Sequence, residues 1–210
     1  MYTARLFTDR LGLPLVAAAA LDTLLALNID LSMDTVAYRL HMWNWNWTGT
    51  GLNPLTAQWF GIPYGNFVGW QTVVFCYSAF SRLWERTRWW PGVVALLALI
   101  CSQVILFSDE TWFYPFMNRI AGINSVHRFI AFSILLTALT AWGAFRRQPM
   151  ARPLSPLAYG VPGWFHFFFF TGFFLFGFYG ENPWMTLAAC VNLGVGVIIH
   201  LWRPSPGGGK

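Results

Sequence analysis

The chain has 210 residues, of which 56% are hydrophobic and only 10% charged, against roughly 25% charged in an ordinary soluble domain. So little charge cannot cover the surface of a water-soluble fold, which excludes that class. The net charge of +5 comes from 13 Lys and Arg scattered between apolar runs, without the basic stripe that nucleic-acid binding would need.

The apolar runs recur along the whole chain and predict one all-α integral membrane domain over 1–203, followed by a flexible tail over 204–210. A helix crossing the hydrocarbon needs about 20 mostly apolar residues. Six stretches meet this: Leu11 to Asp34, Tyr64 to Leu83, Trp90 to Phe107, Phe129 to Phe145, Tyr159 to Tyr179 and Pro183 to Trp202. The runs are continuous rather than alternating, so helices are favoured over a membrane barrel. The first stretch also has the outline of a signal peptide, with Arg5 and Arg10 ahead of Ala17 to Ala20, but it runs past a normal signal length.

Basic residues concentrate on the cytoplasmic side of short loops. Arg5, Arg10, Arg82, Arg86, Arg88, Arg146, Arg147, Arg152, Arg203 and Lys210 fall on one face of the six-span arrangement, leaving Arg39, Arg119 and Arg128 on the other. Both termini are therefore expected in the cytoplasm. Cys76, Cys101 and Cys190 lie in three different stretches without CxxC spacing and read as packing residues.

Ionisable groups inside a membrane segment are costly and mark function. The first stretch carries Asp22, Asp30 and Asp34, with no Lys or Arg between them, and Asp30 and Asp34 are four residues apart on one helix face. A carboxyl withdrawn from water beside a second carboxyl is a candidate proton donor. The pair could also hold a divalent cation, although no clear third ligand accompanies it, and no metal site is assigned. Asn44, Asn46, Asp109, Glu110, Asn118, Asn124, His127, Glu181 and Asn182 fall toward the same, non-cytoplasmic face. Alternating Trp and Asn over 43–47 is equally the composition of an interfacial belt. His166 and His200 read as packing or headgroup residues.

The stretch Leu27 to Ala37, followed by Trp43-Asn44-Trp45 and by Trp59-Phe60-Gly61-Ile62-Pro63-Tyr64-Gly65-Asn66-Phe67-Val68-Gly69-Trp70, resembles the membrane-bound carotenoid biosynthesis family, which includes carotenoid 1,2-hydratases. Gly61, Gly65 and Gly69 recur every four residues and predict close helix contact, with Pro63 marking a turn before it. The resemblance implies a long-chain isoprenoid or carotenoid substrate reaching the site from the lipid bilayer of a bacterial or archaeal cell. It implies acid-catalysed hydration of a terminal alkene, with Asp30 or Asp34 supplying the proton and Asn66 pointing an amide into the site. His127 or Glu181 would help orient water, and Trp43, Trp45 and Trp70 would shield the cation, with Asp22 deeper in the substrate region. No cofactor is called for. Isomerisation or cyclisation of a terpenoid would use the same acid, and a small transporter or accessory membrane subunit is the alternative from another class.

Overall fold

The computed structural model describes residues 2–46, 58–146 and 156–201, with side chains over 3–46, 58–146 and 156–198. The predicted tail, Trp47, and the side chain of His200 lie outside the described residues. Apart from one tiny hairpin the architecture is all-α: α1 (Tyr2–Arg10), α2 (Leu15–Arg39), β1 (Gln58–Trp59), β2 (Ile62–Pro63), α3 (Tyr64–Trp84), α4 (Pro91–Ser108), α5 (Tyr114–Ala121), α6 (Ser125–Arg146), α7 (Pro156–Leu175) and α8 (Pro183–Leu201). Among the described residues three helical stretches, Leu15–Arg39, Pro91–Ala121 and Ser125–Arg146, are long and apolar enough to cross a membrane.

Element boundaries follow local chemistry. The first predicted span begins four residues late, because Gly12 takes a left-handed φ of 61° and Pro14 caps α2, so the preceding turns form the separate helix α1. The third runs longer than its apolar run. A π turn at Asp109–Phe113 carries α4 into α5, and the helix stops only at Gly122, whose φ is 63°. That continuous 31-residue rod is ~46 Å long, more than the ~30 Å hydrocarbon core, so its polar end extends past the apolar layer.

Helix α2 is the hub, packed against α3, α6, α7 and α8. Its early residue Asp22 meets Arg82 at the end of α3, while its late residue Asp34 meets Asn66 at the start of α3, so the two run antiparallel. Helix α6 also runs antiparallel to α2: a Cβ at Gly143, near its end, would lie 2.2 Å from the Cβ of Ala17. Helix α7 runs parallel to α2, with Ala158 packed beside Phe7 and Leu25 and Phe173 packed beside Val36. The buried Ala17 to Ala20 form a turn of small side chains that points to all sides of α2 and lets neighbours approach it. Large apolar side chains on the outer faces, among them Leu96, Val104, Phe107, Ile134 and Ile198, remain exposed, as suits a lipid-facing surface.

The motif residues Trp59-Phe60-Gly61-Ile62 form a two-residue hairpin rather than the start of a helix. Phe60 and Gly61 have φ of 46° and 99°, the pair of positive values that a type I′ turn requires. Arg39 clips this hairpin to the end of α2 through the carbonyls of Phe60 (3.0 Å) and Thr35 (3.1 Å). The expected helix contact through Gly61, Gly65 and Gly69 does not form. Gly61 abuts the Tyr38 ring, where a Cβ would sit at 2.7 Å, but a Cβ at Gly65 would meet nothing within 4 Å and one at Gly69 only Leu106 at 3.9 Å. The close-approach glycines are instead Gly143, against Ala17, and Gly196, against His166. Gly61→Ala should therefore destabilise the fold by ~1–3 kcal/mol through a strained φ and a clash. Gly194→Ala, where a Cβ meets nothing within 4 Å, should be neutral or stabilising; unfolding midpoints in detergent micelles compare the two.

Candidate functional site

One face of α2 carries Leu27, Asp30, Leu31, Asp34 and Tyr38, at the three- and four-residue spacing that aligns side chains along a helix. Leu27, Leu31 and Tyr38 pack into a cluster with Ile62 and Phe67, joined by Tyr64 of α3 and Phe129 of α6. The three rings stand together, with centroids of Phe129 5.2 Å from Tyr64 and 5.9 Å from Phe67. The two carboxyls on this face are 4% and 3% exposed. Asp34 accepts a 2.6 Å hydrogen bond from the Asn66 amide. Neither oxygen of Asp30 meets a hydrogen-bond donor among the described residues, and its electrostatic neighbour is Asp34. Two carboxyls served by one neutral amide, beside an aromatic wall, are costly to bury and do nothing for packing.

Asp22, the third acid, belongs to a different network. It is fully buried and accepts hydrogen bonds from Thr8 (2.7 Å), Ser78 (2.5 Å) and Arg82 (2.9 Å). Arg82 also pairs with Asp9, and Arg5 pairs with Glu85 and, at 3.6 Å, with Asp9. The span itself lacks a cation, as its sequence shows, but α3 supplies one from 60 positions away. Asp22 is thereby a fastener between α1, α2 and α3, about two turns from the Asp30 and Asp34 pair. Removing one partner of a buried pair typically costs ~3–5 kcal/mol, so Arg82→Met should lower the unfolding midpoint sharply. Adding Asp22→Asn should recover part of that loss, because no unpaired charge then remains; a double-mutant cycle in micelles reads the coupling.

The other sequence-derived residues are dispersed. His127 is exposed and caps α6, its backbone N–H donating to the Asn124 side chain at 3.1 Å while its Nδ1 accepts from the Asn124 backbone at 3.3 Å. Glu181 pairs with Arg39 at 2.8 Å, which ties the α7–α8 connection to the end of α2. Asp109 and Glu110 both pair with Arg128, whose guanidinium lies 4.6 Å from the Tyr114 ring centre. Trp45 packs on the Ile62 and Phe67 cluster; Trp43 is half-buried near it in sequence but outside that cluster. Trp70 stands 44% exposed on the outer face of α3. His166 is buried, 3.4 Å from the Asn28 amide, and Asn28 also donates to the Asn192 carbonyl at 3.0 Å. Sequence reasoning missed the cluster of Tyr64, Phe67 and Phe129 against Leu27, Leu31 and Tyr38 on the helix face that carries the acids. Tyr64 and Phe67 flank Asn66 and could have been found from the motif; Phe129 carries no sequence signal. Among the described residues no three His, Cys, Asp or Glu side chains converge as metal ligands.

An all-helical fold with stretches long and apolar enough to cross a membrane, and with two carboxyls buried on one face of such a helix, is consistent with a membrane protein. The chain belongs to the carotenoid biosynthesis protein family, which it matches over residues 4–123, 120 of its 210 residues. That match includes Asp30, Asp34, Asn66 and the hairpin, and it ends before Phe129. Membership gives the chain a role in carotenoid biosynthesis, consistent with an enzyme and with an isoprenoid substrate. No curated protein and no solved structure matches it.

Proposed function

We propose that the protein is a six-span enzyme of a bacterial or archaeal cell membrane that hydrates a terminal C=C of a carotenoid or related isoprenoid. The observation that carries this reading is the buried Asp30 and Asp34 pair, whose hydrogen-bond donor among the described residues is Asn66, on the helix face whose Leu27, Leu31 and Tyr38 pack with Tyr64, Phe67 and Phe129. One carboxyl protonates the less substituted alkene carbon, and the electron pair of the π bond forms the new C–H bond. The tertiary cation left on the other carbon is stabilised by aromatic faces, at ~0.5–2 kcal/mol each. Water then adds to that carbon and returns a proton to the carboxylate, so alkene and water become a tertiary alcohol and the acid is restored. Asn66 orients the pair, and Trp45 closes the aromatic side. His127 hydrogen-bonds Asn124 and Glu181 pairs with Arg39, and this reading assigns neither a step.

The near-complete burial of both acids favours a second reading, in which the cation is quenched by proton loss or ring closure instead of water. An isotope separates the two. In heavy-oxygen water a hydratase must place solvent oxygen in the new alcohol, and a product without it removes hydration. Asp→Asn at the true donor should lower turnover by at least ~10² while folding survives. Full activity in both Asp30→Asn and Asp34→Asn removes the pair from the mechanism. Cys190→Ser, remote on α8, is the control; Asp22→Asn is not, because it strands Arg82.

The six-span arrangement with cytoplasmic termini is supported by the distribution of basic residues and by the ion pairs, which sort to opposite ends of the bundle. Asp9, Asp22 and Glu85 pair with Arg5 and Arg82 at one end, and Glu181, Asp109 and Glu110 pair with Arg39 and Arg128 at the other. Alkaline phosphatase fused after Lys210 should be inactive in a bacterial periplasm; an active fusion reverses the orientation.

A further inference from the structure

We infer that a groove between α3 and α4 binds the substrate as an uncharged, extended isoprenoid, with its reacting end at Asn66 and its distal end at the Arg5 and Glu85 pair. This deepens the proposed function and rests on it for the identity of the reacting end.

Two cavities carry the inference. One, of about 440 Å³, is lined by Gly65, Asn66, Gly69, Gln103, Leu106 and Glu110. The other, of about 570 Å³, extends past Tyr77, Val94 and Leu99 to Arg5, Ser81 and Glu85. They share Trp70 and Val73, so they form one trough along the helix pair. From Asn66 to Ser81 is 15 residues of helix, ~22 Å, or roughly two-thirds of the hydrocarbon thickness. A long, thin ligand lying along α3 suits that shape.

The lining specifies the ligand further. Asn66 is the physical link to chemistry: half-buried, it lines the trough and donates to Asp34 at 2.6 Å. Trp70 and Tyr77 offer aromatic surfaces, and their polar atoms, like the Gln103 amide, make no hydrogen bond among the described residues. The glycines agree. Neither Gly65 nor Gly69 serves helix packing, yet each costs a helix up to ~1 kcal/mol relative to Ala; what they preserve is the open trough. At the distal end Arg5, which lines the trough, pairs with Glu85 and Asp9. At the other end Arg128 is already shared by Asp109 and Glu110. The charged residues that line the trough are Arg5, Asp9, Glu85 and Glu110, one cation against three carboxylates, so a phosphate or diphosphate headgroup within it is repelled and a neutral chain is accepted.

The test uses the full chain purified in detergent, with lycopene as the neutral probe and geranylgeranyl diphosphate as the charged one. Pigment retained with the protein is read by its visible absorbance. Wild type should retain lycopene, and Gly69→Leu, which fills the trough, should retain at least ~10-fold less. Gly194→Leu, on α8 and away from the trough, should match wild type. Should Gly69→Leu fail to fold, Gly65→Leu fills the same end and is read in its place. Undiminished retention in the trough variant, or displacement of lycopene by an equal concentration of the diphosphate, overturns the inference. Asp34→Asn separates it from the hydration chemistry. If the trough variant loses pigment while Asp30→Asn and Asp34→Asn stay active, the trough stands and the acid mechanism falls. If both Asp variants are inactive and Gly69→Leu retains pigment normally, the mechanism stands and the trough falls.

Discussion

Three carboxyls in one apolar helix impose the constraint from which the rest of the structure follows. In a low-dielectric interior each ionised group must find compensation or remain an energetic liability. Asp22 finds Arg82, Thr8 and Ser78, and to do so it needs α1 folded back and α3 antiparallel, with its last turn beside the first half of α2. Once that register is set, the start of α3 falls beside the far half of α2, and Asn66 arrives at Asp34. The fully compensated acid thus positions the poorly compensated pair. Stability is concentrated at one end of the helix and chemical potential at the other.

The helices were legible in the sequence because continuous apolar runs of about 20 residues have few alternatives. Asp30, Asp34 and Asn66 were legible as well, since polar groups stand out against an apolar background and the motif joins two of its segments. What stayed hidden was pairing across distance. Nothing near Asp22 announces Arg82, and nothing near Glu181 announces Arg39, 142 positions away. A residue's type tells what it can bond to; only the fold tells what it does bond to.

Glycine spacing misled for a related reason. A four-residue repeat is the signature of close helix contact, but Gly61 serves a hairpin turn against Tyr38, and Gly65 and Gly69 face open space. The contacts between helices where a Cβ would clash, at Gly143 and Gly196, carry no four-residue repeat. Small residues remove volume, and sequence alone does not say whether a backbone, a ring or a ligand takes the space.

The identity of the residue at 66 bears on the chemistry. A guanidinium or ammonium there would balance the pair's charge and stabilise the fold, as Arg82 does for Asp22. It would also commit Asp34 to the anionic form, and an acid that cannot hold its proton cannot donate it. An amide fixes the carboxyl's orientation through a 2.6 Å hydrogen bond yet carries no charge, so it leaves the proton count of Asp30 and Asp34 open to the reaction. The same side chain lines the trough along α3, where a cation would attract anionic headgroups from the surrounding lipid and an amide does not. Under the proposed function, neutrality at this position would serve both proton transfer and selection of an uncharged chain.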